Sequence, residues 1–339
     1  MKSWIAEAAS RDDWLALTIE EPIAPDMEIV DPHHHLWNRD GTAYEVNGLW
    51  SDTGAGHKVV QTVFIECGSF YYKDVEEGFA PVGETAYVAG QAALAARSPE
   101  KAQIAGIVAH ADLRRENLSE VLDAHAAVGG ALFKGIRHAL AWDDDPSAFK
   151  IQSRGVGGLA HDPDFRRGLR LLGERGLTYD TWHYHHQNKD FIALAKAVPE
   201  TTLVLDHFGT PLGVGQFEGK RDEIFAAWKD DVAALADCPN VVAKLGGMAM
   251  PDNGYGWHEW DRPIGSEEFV EAQAPWYHHM IACFGADRCM FESNFPVDRA
   301  SISYGVLWNG LKKIAADYPP QDQMMMFSGT SRRVYGLPS

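Results

Sequence analysis

The stretch Ile29-Val30-Asp31-Pro32-His33-His34-His35-Leu36-Trp37 reads as an apolar strand running into Asp-x-His-x-His. Residues two apart on a strand project to the same side. His33 and His35 therefore aim two imidazoles at one point, a geometry that suits a metal ion or polarisation of a carbonyl. His34 faces the other way. A polar turn with three incidental histidines would look the same in isolation, so the rest of the chain has to decide.

Outward from this stretch, β-rich segments recur at fairly regular spacing. Strands are expected at 28–32, 59–66, 104–110, 131–137, 177–183, 202–206, 240–245 and 288–293. Most are continuous apolar runs, such as Val59-Val60-Gln61-Thr62-Val63-Phe64-Ile65. Such runs suit strands buried on both faces of a parallel sheet. Helical spacing is found between them, in 84–97, 117–127, 164–175 (behind Asp162-Pro163), 190–198, 223–236, 267–284 and 303–316. Eight strands alternating with helices predict an α/β fold, a (β/α)8 TIM barrel, as one domain over 1–339 with 1–27 as a lead-in.

The net charge of −18 argues against nucleic acid and anionic membranes as partners, because both call for basic patches. A small molecule is the expected partner. Cys67, Cys238, Cys283 and Cys289 show no CxxC spacing, and the N-terminus lacks a signal-peptide apolar core. A cytoplasmic protein with reduced thiols is expected. Three long stretches after strands, 67–83, 141–161 and 248–266, carry aromatic residues that suit pocket-covering loops.

In such barrels the active site lies at the C-terminal ends of the strands. The expected ends carry His33 and His35, Glu66, His110 and Asp112, Lys134 and Arg137, the run Trp182–Gln187, Asp206-His207, Lys244, and Glu292-Ser293-Asn294. Polar residues converge at all eight. That convergence is far more specific than two histidines.

These motifs resemble the amidohydrolase superfamily, in its amidohydrolase-related (amidohydrolase 2) branch and its lactonase-like group of L-fuconolactonase and 2-pyrone-4,6-dicarboxylate lactonase type. The matching pieces are Val30–Trp37, Phe64–Cys67, Phe133–His138, Val204–Pro211, Ala243–Gly247, Met290–Pro296 and Phe327–Thr330. The resemblance implies a hydrolase opening a lactone or related cyclic ester of a small carboxylated sugar-acid or aromatic-catabolism metabolite. His33, His35 and His207 would polarise the carbonyl, directly or through one divalent metal, Zn or Mn, held with Glu292; some members of the group work without metal. The family's histidine after strand five falls on His183 or His185, with His185 preferred by its spacing to Gln187. Relatives carry Asp where this chain has Asn294, and an amide cannot take a proton from water. Glu292, two residues earlier on the same strand face, is the expected base, with Glu66 and Asp298 as further candidates. Glu66, Lys134, Arg137, His185 and Trp257 are expected around the substrate. The rival readings are a metal-dependent decarboxylase or hydratase and a non-catalytic binding barrel. A homodimer is expected from similar barrels.

Overall fold

A computed structural model describes residues 10–39 and 41–338. Eight strands form one parallel sheet in chain order: β1 Glu28–His34, β2 Lys58–Ile65, β3 Gln103–Ala109, β4 Phe133–Arg137, β5 Thr178–Thr181, β6 Leu203–Leu205, β7 Val241–Leu245 and β8 Cys289–Phe291. The ring closes just past β8. A parallel bridge joins His34 to Phe295, His35 N donates to the Phe295 carbonyl at 2.8 Å, and Asn294 N donates to the His33 carbonyl at 3.0 Å. This is the (β/α)8 barrel the apolar runs predict.

Alternation along each strand divides the apolar residues into two layers. Val30, Val63, Ile65, Ala105, Val108, Val204, Val242 and Met290 form one cluster with Tyr335 and Leu337 from the C-terminal segment. Ile29, Phe64, Ile107, Ile136, Leu205 and Leu245 join the larger cluster with the helices. The first set fills the barrel interior, as branched side chains do in this fold.

A helix follows every strand: α1 Val46–Thr53, α2 Val82–Ala95, α3 Leu118–Gly129, α4 Pro163–Glu174, α5 Asn188–Ala197, α6 Arg221–Ala236, α7 Ser266–Phe284 and α8 Tyr304–Ala315. Asp162 caps α4, its carboxylate accepting from Asp164 N and Phe165 N at 2.8 and 3.2 Å, with Pro163 at the first helical position. Helix α1 and the hairpin Trp37–Arg39/Thr42–Tyr44 before it are additions to the expected elements. The α1 sequence VNGLWSDT is rich in weak helix formers, and it is burial of Val46 and Leu49 that anchors it. No described helix is long and apolar enough to cross a membrane.

Candidate active site at the C-terminal mouth of the barrel

Glu292, one residue beyond β8, takes hold of two imidazoles. Its Oε1 lies 2.6 Å from His207 Nδ1 and its Oε2 lies 2.8 Å from His33 Nδ1. His207 follows β6 in a run of left-handed backbone, His207, Phe208, Gly209 and Thr210, at φ 53, 59, 67 and 41. Two glycines after β7 make room for this cluster. A Cβ on Gly246 would lie 2.3 Å from the Glu292 carbonyl oxygen, and one on Gly247 would lie 2.0 Å from His207 Nδ1. Gly247 also sits at φ +70. Gly247→Ala is therefore expected to lower stability by about 1–2 kcal/mol from backbone strain alone, and to displace His207. Turnover should fall further than the urea midpoint accounts for, whereas wild-type turnover in the folded variant would contradict this account.

Behind these residues lies a buried charge network. Lys244 Nζ is 2.8 Å from Asp180 Oδ2 and 3.1 Å from Asp206 Oδ1, and the Tyr335 hydroxyl donates to Asp180 Oδ2 at 2.5 Å. Lys244, Asp180 and Asp206 are fully buried. Strand register assembles them: Arg137 of β4 stands opposite Asp180 of β5, and Asp206 follows β6 directly, its N–H on the Thr181 carbonyl. Arg137 donates Nε to Glu66 Oε1 at 2.9 Å and a second N–H to the Glu66 carbonyl, and its Nη1 lies 3.6 Å from Asp206 Oδ2.

Asp31 and Asn294 have closing roles. The Asp31 carboxylate accepts from Ser293 N, Ser293 Oγ and the Tyr304 hydroxyl at 3.0, 2.6 and 2.9 Å. It ties β1 to the segment after β8. Asn294, at φ 55, donates Nδ2 to Asp298 Oδ1 at 2.8 Å, and its Oδ1 lies 3.3 Å from His35 Nε2. Asn is among the residues that tolerate this backbone. His35 Nδ1 donates to the Ile65 carbonyl at 2.8 Å, which assigns the lone pair of the neutral ring to Nε2.

Burial sets the protonation of the cluster. It holds His33 well below the ordinary imidazole range, with Lys244 adding to the effect, and His35 likewise, with Arg137 adding. It takes His207 down to about 3, with Asp206 opposing. These rings are neutral. Burial pushes Glu292 up to about 8 and Asp206 up to about 6, with Lys244 opposing in each case.

Above the cluster opens a cavity of about 720 Å³ whose lining includes His35, Glu66, Arg137, His110, His138 and Trp182. Loop 67–83 lends it Cys67, Tyr71 and Glu77, and loop 141–161 lends it Lys150 and Arg154. At its wall burial pushes the Asp112 carboxyl up, but the Arg114 fork, at 2.9 and 2.8 Å, outweighs this and holds it at about 2. A carboxyl depressed by folding contributes stability above its unfolded value, near 3.8, that is lost as pH falls through about 2. Asp112→Asn should therefore flatten the acid limb of stability between pH 4 and pH 2, read from urea midpoints. An unchanged limb would remove the Arg114 pairing as its cause.

Three expected substrate contacts lie elsewhere. Lys134 is the second residue of β4, near the opposite mouth, and donates Nζ to the Gly336 carbonyl at 3.1 Å. Only Arg137, at the strand's C-terminal end, reaches the cavity. His185 turns away after β5: its Nδ1 accepts from Leu212 N at 3.2 Å and its ring packs on Phe217. His183 is bound to Asn188 Oδ1 at 3.0 Å, so neither ring lines the cavity. Trp257 is buried and stacked on Tyr255 at 4.2 Å, so loop 248–266 packs on the core and leaves the cavity to the other two loops. Sequence reading also gave no role to Asp180, Asp206 or Arg154. The available signal was a lone charge inside an apolar strand, Asp180 after Tyr179 and Lys244 after Ala243, since each needs a buried partner.

The donor set can be tested for a metal ion. His33, Asp206 and His207 bring ligand atoms within 4.8 Å of one another. Both Asp206 oxygens and Glu292 Oε2 are buried and lack a hydrogen-bond donor among the described residues, although Lys244, Arg137 and His33 lie close enough to neutralise them. Buried acceptors without donors are what a cation satisfies, and imidazole with carboxylate suits Zn or Mn. The residues fit one divalent ion. The group differs from the expected one: Asp206 joins it, Glu292 is clamped to two imidazoles, and His35 Nε2 faces Asn294 and His33 at 3.3 Å.

Comparison with known proteins agrees with this architecture. The amidohydrolase family profile matches residues 30–337. An uncharacterised protein of Sinorhizobium fredii is 29% identical over 325 residues, covering 91% of this chain and 99% of its own. The L-fucono-1,5-lactonase of Burkholderia multivorans is 28% identical over 240 residues, 70% of this chain and 74% of the lactonase. The crystal structure of a Burkholderia multivorans amidohydrolase with bound zinc superposes with a TM-score of 0.71 at 25% identity, covering 91% of this chain and 99% of that one. With that profile matched across the whole barrel, the chain belongs to the amidohydrolase family and is a hydrolase of that family.

Proposed function

We propose that this protein opens the ring of a lactone or related cyclic ester by attack of water on a polarised carbonyl. The observation that carries the reading is the Glu292 carboxylate clamped between His33 and His207, directly behind a cavity floor of His35, Glu66 and Arg137. The similarity to a lactonase supports it. Arg137, locked by Glu66 and Asp206, holds a fixed positive charge where an oxyanion would form. The Glu292–His207 pair takes the proton of the attacking water and returns it to the alkoxide as the ring C–O bond breaks. A carboxyl pushed up to about 8 suits this task near neutral pH. A divalent ion held by His33, Asp206 and His207 would polarise the carbonyl and acidify water.

The test is a panel of aldonolactones, carboxylated lactones and pyrones, assayed by acid release with Zn²⁺, with Mn²⁺ and after chelation. Hydroxybenzoates in the same panel report decarboxylation as CO₂. Ring opening by the wild type supports the reading. If no lactone opens under any metal condition, it fails, and CO₂ release would replace it with the decarboxylase alternative.

A further inference from the structure

Among the described residues, two guanidiniums in the cavity wall make no ion pair with a carboxylate, although the charges of Glu66 and Glu84 act on Arg154 from farther off. Of the other basic side chains there, Arg137 is paired with Glu66 and Asp206, Arg115 with Glu76, and Lys150 faces His258 and Glu259. Arg39 instead donates to the Cys67 carbonyl at 2.9 Å and lies 5.3 Å over the Trp37 ring. Arg154 lies 5.6 Å over the Tyr71 ring and donates to its hydroxyl at 3.5 Å. Among the described residues neither is paired with a carboxylate, although the chain carries a net charge of −18.

Both guanidiniums rest on one loop, 67–71, which begins directly after Glu66 of the cavity floor. The loop is shaped for the contact. Gly68 has φ +74, and a Cβ there would lie 2.1 Å from Arg154 Nη2. Aromatic faces under both forks orient them while leaving N–H groups for a ligand. A planar fork of this kind binds carboxylates in two-point fashion.

We propose that Arg39 and Arg154 form a carboxylate-binding subsite beside the cavity floor, which selects lactones bearing a free carboxylate over neutral ones. This rests on the ring-opening reading for the identity of the substrate, but not for the binding of the anion. The pair replaces Lys134, which lies at the other end of the barrel, and Arg137, which is already paired.

The test compares the full-length wild type with Arg154→Met, Arg154→Lys and Arg39→Met. The substrates are a neutral aldonolactone and a lactone of the same ring size carrying a carboxylate. Calorimetry with tricarballylate, which has no ester to hydrolyse, reads binding alone. Loss of a charged hydrogen-bonding contact should raise KM for the carboxylated lactone on the order of 10- to 100-fold in Arg154→Met. Turnover at saturation and KM for the neutral lactone should stay near wild type, and Arg154→Lys should recover part of the loss. Equal preference of the wild type for both lactones, or an equal effect of Arg154→Met on both, would overturn the subsite. If no lactone opens, tricarballylate binding that weakens at least tenfold in Arg154→Met still upholds it, and absence of binding to the wild type overturns it. Should Arg154→Met not fold, Arg39→Met provides the same comparison.

Discussion

Glu292→Gln is expected to lower kcat by about 10²- to 10⁴-fold, the usual worth of a positioned acid–base group, while changing stability little. The clamp accounts for both parts. Glu292 Oε1 shares a hydrogen bond with His207 Nδ1 at 2.6 Å, and its Oε2 lies 2.8 Å from His33 Nδ1. A glutamine keeps the shape but has one acceptor oxygen and an NH₂ that can only donate. It cannot face two Nδ1 atoms in the same protonation pattern, and it cannot carry a proton from water to a leaving alkoxide. KM should move less than kcat, because Glu292 is fully buried and behind the residues that line the cavity. Stability should hold or rise, because burial already disfavours the charged carboxylate, which is why the group is pushed up to about 8. His207→Ala should follow the same pattern, with turnover falling far more than the melting temperature. Ring-opening kinetics beside urea melts make the check. A folded Glu292→Gln with turnover within tenfold of wild type would end its assignment as the base.

The sequence made the barrel readable because strands buried on both faces leave unbroken apolar runs, and because residues at strand ends are located as soon as the strands are. His33, His35, His207 and Glu292 come together for that reason. Side chains were harder to place where the strand limits or loop paths decide. Lys134 and Arg137 share β4, but only two residues separate a cavity residue from one that binds the Gly336 carbonyl at the opposite mouth. His185 and Trp257 sit in loops whose packing, on Phe217 of the loop after β6 and on Tyr255, has no periodicity to read. The Asp180–Lys244–Asp206 network joins β5, β7 and the end of β6, and only the pairing of these three neighbouring strands brings together residues up to 64 positions apart. Tyr335 is further still in sequence, reaching Asp180 from the C-terminal helix. The Arg39 and Arg154 pair is assembled the same way, from a hairpin strand and a loop that both rest on loop 67–71.

That network leads to the largest expected effect on stability. Lys244→Met should destabilise the fold by about 3–5 kcal/mol, the usual cost of removing one partner from a buried ion pair. Methionine fills much the same volume, so the loss is electrostatic. Among the described residues Asp180 keeps the Tyr335 hydroxyl and Thr178 Oγ1 as donors, with the Arg137 charge farther off, and Asp206 keeps Arg137 at 3.6 Å. With overall stability of about 5–15 kcal/mol for an ordinary protein, a large share is at stake. The pH dependence separates this mechanism from poor packing. Asp206 is already raised to about 6 by burial against the pull of Lys244, and without Lys244 it rises further. A carboxyl with a folded value above its unfolded one contributes stability at low pH that is lost as pH rises through the folded value. The variant should therefore fall furthest below wild type near pH 8 and recover toward pH 5. Asp180→Asn added to Lys244→Met should recover part of the loss, because it removes one of the stranded charges, so the two effects will not add. Urea unfolding of the two variants and the wild type at both pH values makes the comparison. A deficit independent of pH, or strictly additive effects, would show that Lys244 acts through packing and not as the counter-charge that keeps Asp206 beside His33 and His207.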